Sequence, residues 1–95
     1  MEIIPSHTKV EKLIEVKKGV VILESPDGFP PSETNLYMLD PNGDVIWKAE
    51  KPAARILFTK VKLNEDSTLS TFTSHGQFCE IDLETGKITS SSSFR

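Results

Sequence analysis

Short apolar or alternating runs, bounded by Gly, Pro, Asn and Asp, recur along the whole chain. This pattern is typical of many short β-strands rather than long helices. The run VVILE (20–24) has four consecutive apolar residues, three of them β-branched, which indicates a strand covered on both faces. Later runs predict further strands at 35–40, 45–50, 55–63, 68–73, 77–82 and 87–91.

Two tight turns join pairs of these strands. The sequence PNGD (41–44) supplies a proline that presets one φ angle, followed by Asn42 and Gly43, which accept positive φ. It therefore predicts an antiparallel hairpin between 35–40 and 45–50. LETG (83–86) predicts a second hairpin, with Gly86 supplying the freedom in φ that the turn needs.

Residues 8–18 fit two structures. Thr8 and Glu11 could form a helix capping box, and Gly19 could end that helix. Residues 11–16 also read as a strand, because they lead through a short turn at 17–19 directly into 20–24. We favour the strand and keep the helix as the alternative.

The two predicted hairpins repeat each other. LYMLD-PNGDVI aligns with FCEID-LETGKI, which places Leu36 over Phe78, Leu39 over Ile81 and Asp40 over Asp82. The residues between the second and third strands are more numerous in the first unit, where they form the loop SPDGFPPSET (25–34). The prediction is an all-β single domain (1–95) of two four-stranded antiparallel meander units, at about 11–50 and 55–91.

This repeat carries a family resemblance. The stretch FTKVKLNEDSTLSTFTSHGQFCEIDLETGKI resembles one blade of a tryptophan-aspartate-repeat β-propeller, and NLYMLDPNGDVIW is similar to quinoprotein-type propeller repeats. The chain departs from the pattern at two places. Ile81 replaces the tryptophan before Asp82, and His75, beside Gly76, does not have the family's usual histidine placement. No quinone-binding set is present. The resemblance implies blade-like sheets and a binding scaffold, and it carries over no functional residue.

Two such units cannot close a ring, so their apolar faces need cover. The two sheets could pack within one chain as a sandwich or a small barrel. Alternatively, several copies could complete a cyclic homo-oligomer. We favour the packing within one chain.

Composition narrows the classes of function. The 95 residues are 37% apolar and 26% charged, as in an ordinary soluble domain, and the net charge of −3 disfavours nucleic acid as a partner. Cys79 is the only cysteine, the opening MEIIPSHTKVEK does not read as a signal peptide, and no run reaches membrane-spanning length. We therefore expect a cytoplasmic protein without a membrane partner.

The stretch from His75 to Asp82 raises the question of catalysis. Cys79 could act as a nucleophile with His75 as its base and Asp82 as the orienting acid. Strand alternation, however, points Asp82 away from the thiol, which favours Cys79 as a core residue. A cysteine-dependent hydrolase is thus the last alternative.

Other candidate sites have simpler interpretations. His7, His75 and Cys79 show no metal-ligand spacing, and no glycine-rich loop opens a helix, so we predict no metal and no cofactor. Tyr37 and Trp47 could stack on a sugar, although core packing is the more typical use of such residues.

The loop 25–34 is the nominated binding surface, because binding residues concentrate on long loops. Phe29, flanked by glycine and prolines, would insert into a partner from the loop tip, or it would fold back to cap the core. The nominated binding residues are Asp27, Phe29, Pro30 and Glu33.

These features predict a non-enzymatic binding module that acts on a protein partner or on further copies of itself. The alternative is a small acidic inhibitor of the immunity type, which would neutralise a basic partner through Glu24, Asp27 and Glu33.

Overall fold

The computed structural model describes residues 4–93. All the regular secondary structure in this range is β-strand. In chain order they are β1 (Val10–Val16), β2 (Gly19–Glu24), β3 (Leu36–Leu39), β4 (Val45–Lys48), β5 (Phe58–Leu63), β6 (Thr68–Thr73), β7 (Gln77–Asp82) and β8 (Ile88–Ser93). Strands β1–β4 form the first sheet and β5–β8 the second, each in chain order. All neighbouring strands are antiparallel. The predicted fold class of two four-stranded antiparallel units is confirmed.

Strand β1 decides between the two interpretations of residues 8–18. Val16 pairs with Gly19 across a two-residue turn, and the ladder continues to Val10 opposite Glu24 with an irregularity at Glu11. The strand prediction is therefore correct and the helix alternative is wrong.

The main core lies between the two sheets. Apolar side chains of the first sheet pack on apolar side chains of the second, so each sheet covers one face of the other. The first sheet contributes Val21, Leu23, Leu36, Met38 and Trp47, and the second contributes Phe58, Val61, Leu69 and Ile81. This is the predicted packing within one chain, and self-association stays a prediction.

The sheets stack in the same sense, front to back. Leu36 lies on the face of the first sheet that meets the second, which we call its front; the opposite face, its back, carries Val20, Ile22, Tyr37 and Leu39. In the second sheet Ile81, aligned with Leu39, faces the first sheet, so Phe78, aligned with Leu36, points away from it. The stack therefore ends in the back of the first sheet and the front of the second. The resemblance to propeller blades stays a prediction.

Asn35 joins the two sheets through hydrogen bonds. Its fully buried amide Nδ2 donates to the carbonyl oxygens of Glu24 and Phe58, both at 2.8 Å. Its Oδ1 accepts from the backbone N–H of Phe58 at 2.9 Å. One side chain thus ties the end of β2 to the start of β5 and satisfies backbone groups that would otherwise be buried without partners.

The aligned aspartates shape both hairpin turns. Asp40 Oδ1 accepts from the backbone N–H groups of Asn42 and Asp44, each at 2.9 Å. Asp82 Oδ1 accepts from the N–H of Glu84 at 2.7 Å. The two predicted hairpins are confirmed, and equivalent residues stabilise them by the same Asx-type contacts.

The second turn also packs against the first sheet. Trp47 Nε1 donates to the carbonyl oxygen of Leu83 at 2.8 Å, and Glu50 N–H donates to the carbonyl oxygen of Gly86 at 2.8 Å. Gly86 has φ +75°, and a Cβ added there would lie 2.6 Å from ring carbons of Trp47. Glycine is therefore required twice at this position, by the backbone conformation and by the indole ring.

The substitution Gly86→Ala tests this packing against a matched control. Gly43 has a similar φ of +91° with nothing within 4 Å of an added Cβ. We expect Gly43→Ala to lower the free energy of unfolding by about 1 kcal/mol, through backbone strain alone. Gly86→Ala should cost roughly 2–4 kcal/mol, because the methyl group also displaces Trp47. Urea unfolding of both variants measures the difference, and equal losses would contradict the packing role.

Candidate functional site

A cleft of about 430 Å³ opens on the back of the first sheet. Its floor is apolar and consists of Tyr37, Leu39 and Val45, while Glu33 and Lys48 bring opposite charges to its lining. Three segments surround it: residues 4–9, which we call the strap; the loop 25–34; and the turn between β3 and β4. The cleft thus lies next to the nominated loop.

The strap is held by a buried carboxylate. Glu24 is 0% exposed, and its Oε2 accepts from the N–H and Oγ of Ser6 at 2.7 and 2.8 Å. Its Oε1 accepts from the N–H groups of His7 and Thr8 at 3.0 and 2.9 Å. The Tyr37 hydroxyl donates to Oε2 as well. A carboxylate buried at this depth is tolerated because donors surround both oxygens.

These donors set the protonation of Glu24. Burial alone would raise the pKa of its carboxyl group, but the hydrogen bonds from Thr8, Tyr37, Ser6 and His7 outweigh burial and lower the pKa to about 2. Burial and the adjacent Glu24 together raise the pKa of the Tyr37 hydroxyl. At neutral pH the Tyr37 hydroxyl therefore stays protonated and donates to Glu24, which stays ionised.

Phe29 is folded back into the protein. It is 4% exposed, and the ring of His7 meets it edge-on with centroids 5.0 Å apart. His7 Nε2 also lies 3.2 Å from Glu33 Oε2. Of the two orientations predicted for Phe29, the structure has the capping one, so this ring anchors the loop to the strap.

The four nominated residues have different positions. Glu33 is exposed and lines the cleft, whereas Asp27 is exposed outside its lining. Pro30 is half-buried, and its carbonyl oxygen accepts from Glu33 N–H at 3.0 Å. Phe29 is buried and does not line the cleft. The structure therefore brings only Glu33 of the four to the cleft.

The loop is fixed from its other side by Lys51. Its Nζ donates to the carbonyl oxygens of Pro31 and Glu33, at 2.7 and 3.0 Å. Burial, and then the charge of Arg55, lower the pKa of this ammonium group. With the strap on one side and Lys51 on the other, the loop is preorganised rather than free to move as a unit.

Cys79 lies in the core rather than at a reactive surface. It is 0% exposed, and burial raises the pKa of its thiol, which disfavours the reactive thiolate. His75 is exposed and its Nδ1 lies 3.2 Å from Ser74 Oγ. Within residues 4–93, no group of three or more His, Cys, Asp and Glu side chains is placed to hold a metal ion.

The sequence interpretation missed the role of Glu24 in building this site. A signal was present, because Glu24 directly continues a run that indicates a strand buried on both faces. A charged residue there needs buried donors, and the serine, histidine and threonine at 6–8 could supply backbone and hydroxyl donors. What local patterns do not reveal is that residues so far apart in sequence meet.

Replacement of Glu24 by glutamine tests whether the hydrogen bonds between its carboxylate and the strap stabilise the fold. The lowered pKa means that ionised Glu24 stabilises the fold by about 3 kcal/mol above pH 5, and this contribution disappears as the pH falls towards 2. We expect Glu24→Gln to lose about 2–4 kcal/mol at pH 7, because the amide nitrogen meets donors. The variant should also lose most of the dependence of stability on pH between 5 and 2.

Chemical unfolding across this pH range provides the measurement. Glu15→Gln is the control, because Glu15 is exposed and should change stability by no more than about 0.5 kcal/mol. Parallel pH profiles for the wild type and Glu24→Gln would show that ionisation of Glu24 does not stabilise the folded state.

No helix that could span a membrane occurs within residues 4–93.

Comparison with known proteins adds one assignment. No curated protein matches the chain in sequence. A family described as a domain of unknown function, DUF7957, matches residues 3–93, a span that includes the strap, the loop and all eight strands. The chain therefore belongs to the DUF7957 family.

Proposed function

We propose that this protein is a non-enzymatic binding module that receives an apolar side chain of a protein partner in the cleft. The observation that carries the proposal is the combination of an apolar floor with two opposite charges, Glu33 and Lys48, in the same cleft. Apolar pockets with a few placed polar groups are the usual form of binding sites. The floor would supply affinity, and the charges would orient the partner.

The preformed walls support this proposal. The strap is fixed by the Glu24 carboxylate, and the loop is fixed by Phe29 and Lys51. Little conformational entropy remains to be lost on binding at these walls, so a modest contact area can give useful affinity.

A protein partner suits the cleft better than a small metabolite. Val45 on its floor is 51% exposed, and Ile4 in its wall is 81% exposed. These residues extend the apolar surface beyond the cleft itself. A partner protein could cover that surrounding surface while one side chain fills the cleft.

The acidic-inhibitor alternative keeps only part of its basis. Of the three acids on which this alternative depends, Glu24 is buried, and Asp27 and Glu33 are exposed. An acidic inhibitor would lose association rate steeply at higher ionic strength, whereas a cleft-centred contact would depend mainly on the apolar floor.

The proposed partners include a further copy of the chain. The reducing cytoplasm remains the proposed compartment.

Selection of short peptides on the purified protein tests the proposal. We expect enriched peptides to share an aromatic or branched apolar residue flanked by charges, and to shift the amide resonances of residues lining the cleft. Val45→Glu should weaken their binding by at least about tenfold, because it places a charge on the apolar floor. Ile46→Glu is the matched control: Ile46 is adjacent and 42% exposed but does not line the cleft.

The paired variants give a clear decision. Binding that resists Val45→Glu, or that Val45→Glu and Ile46→Glu weaken equally, would place the contact elsewhere. Unfolding curves for both variants establish that a loss of binding does not come from a loss of fold.

A further inference from the structure

A second surface lies at the open edge of the second sheet. Strand β5 pairs with β6 on one side only. Asn64 N–H donates to the Thr68 carbonyl oxygen at 2.9 Å, which fixes the alternation along the ladder. By that alternation the backbone groups of Lys62 face β6, whereas those of Val61 and Leu63 face the open edge. Two residues of β5 thus present backbone donors and acceptors to an added strand.

A groove of about 400 Å³ runs along this edge, between β5 and β1. Leu23 and Val61 lie in its apolar floor. Lys12 from the first sheet and Lys60 and Lys62 from the second line it, and Glu11 is the one acid in its lining. We call this surface the basic edge groove.

The three lysines are a local exception in an acidic protein. The chain has a net charge of −3, yet these side chains are exposed on one groove. None of the three forms an ion pair with another residue of the range 4–93. Three cations against the single acid Glu11, beside an apolar floor, favour a ligand that carries both carboxylates and apolar groups.

We propose that the basic edge groove binds an extended segment of a partner protein in which acidic and apolar residues alternate. The segment adds to the second sheet as a strand beside β5 and pairs with the backbone of Val61 and Leu63. Because successive side chains point to opposite faces, its acids lie beside Lys60 and Lys62 on the front. Its apolar residues lie on the opposite face, beside Val61.

Edge protection is the competing explanation for the lysines. Lysine on an edge strand discourages pairing with other chains, and this role requires no groove and no ligand. The basic edge groove has further features: an apolar floor, and a third lysine contributed by the other sheet. These features suit a bound acidic segment. The inference is independent of the cleft, which lies on the back of the first sheet.

Titration of the isotope-labelled full chain with a short blocked peptide of alternating glutamate and valine tests the inference. We expect resonance shifts at Val61 and Leu63 and slower amide exchange at both residues. Lys60→Glu/Lys62→Glu should weaken the binding by at least about tenfold. Lys17→Glu/Lys87→Glu changes the net charge equally at two exposed lysines outside the groove, and should leave affinity within about twofold.

A second pair of peptides separates backbone pairing from simple charge attraction. Methylation of the peptide nitrogens that face β5 should abolish binding, whereas methylation of those that face away should preserve it. A peptide with lysine in place of glutamate should not bind.

Four results would overturn the inference. The first is no binding of the alternating peptide, which would leave edge protection only. The second is equal loss for the two double-lysine variants, and the third is indifference to methylation. The fourth is shifts at Val61 and Leu63 that depend on protein concentration without peptide, since these would make a second copy the occupant.

Discussion

A buried carboxylate determines how one half of this protein is arranged. Glu24 ends β2 inside the fold, where an ionised group is tolerated only with donors on both oxygens. Those donors come from the strap and from Tyr37, so the strap must lie across the back of the first sheet. The carbonyl of the same residue accepts from Asn35, which reaches the second sheet. The side chain of Glu24 thus fixes one wall of the cleft, and its backbone helps to join the sheets.

The front-to-back stacking explains how two similar units can differ so much in surface chemistry. The front of the first sheet is apolar because it packs on the second sheet. Among residues 4–93 the aligned front of the second sheet meets no other sheet, and it carries Lys60, Lys62 and Glu80 beside Phe72 and Phe78. At the other end, the strap lies over the back of the first sheet.

Local sequence patterns were sufficient for the strands and turns but not for the site. Both hairpins follow from aspartates at aligned positions, each with a glycine in the turn after it, and the same short-range hydrogen bond to the aspartate recurs. The orientation of Phe29 depends instead on His7, a residue from another segment, and the loop composition allowed either outcome. Glu24 was predicted as the end of a strand, but its donors come from the strap, distant in sequence. Long-range contacts of this kind have no periodic signature, which is why the cleft could not be predicted.

The same packing limits where this chain can recognise anything. Among residues 4–93, most apolar side chains of the strands are buried between the sheets or in the cluster on the back of the first sheet. Recognition then depends on places where a wall is rigid and a partner can complete an unfinished surface. In the part of the chain that the structure describes, Val45 is left 51% exposed in the cleft, and β5 has a neighbouring strand on one side alone. The two proposed ligands differ in chemistry to match, since we propose an apolar side chain for the cleft and an extended acidic segment for the edge of β5. The two surfaces share no lining residue, so the two proposed ligands would not compete for the same side chains.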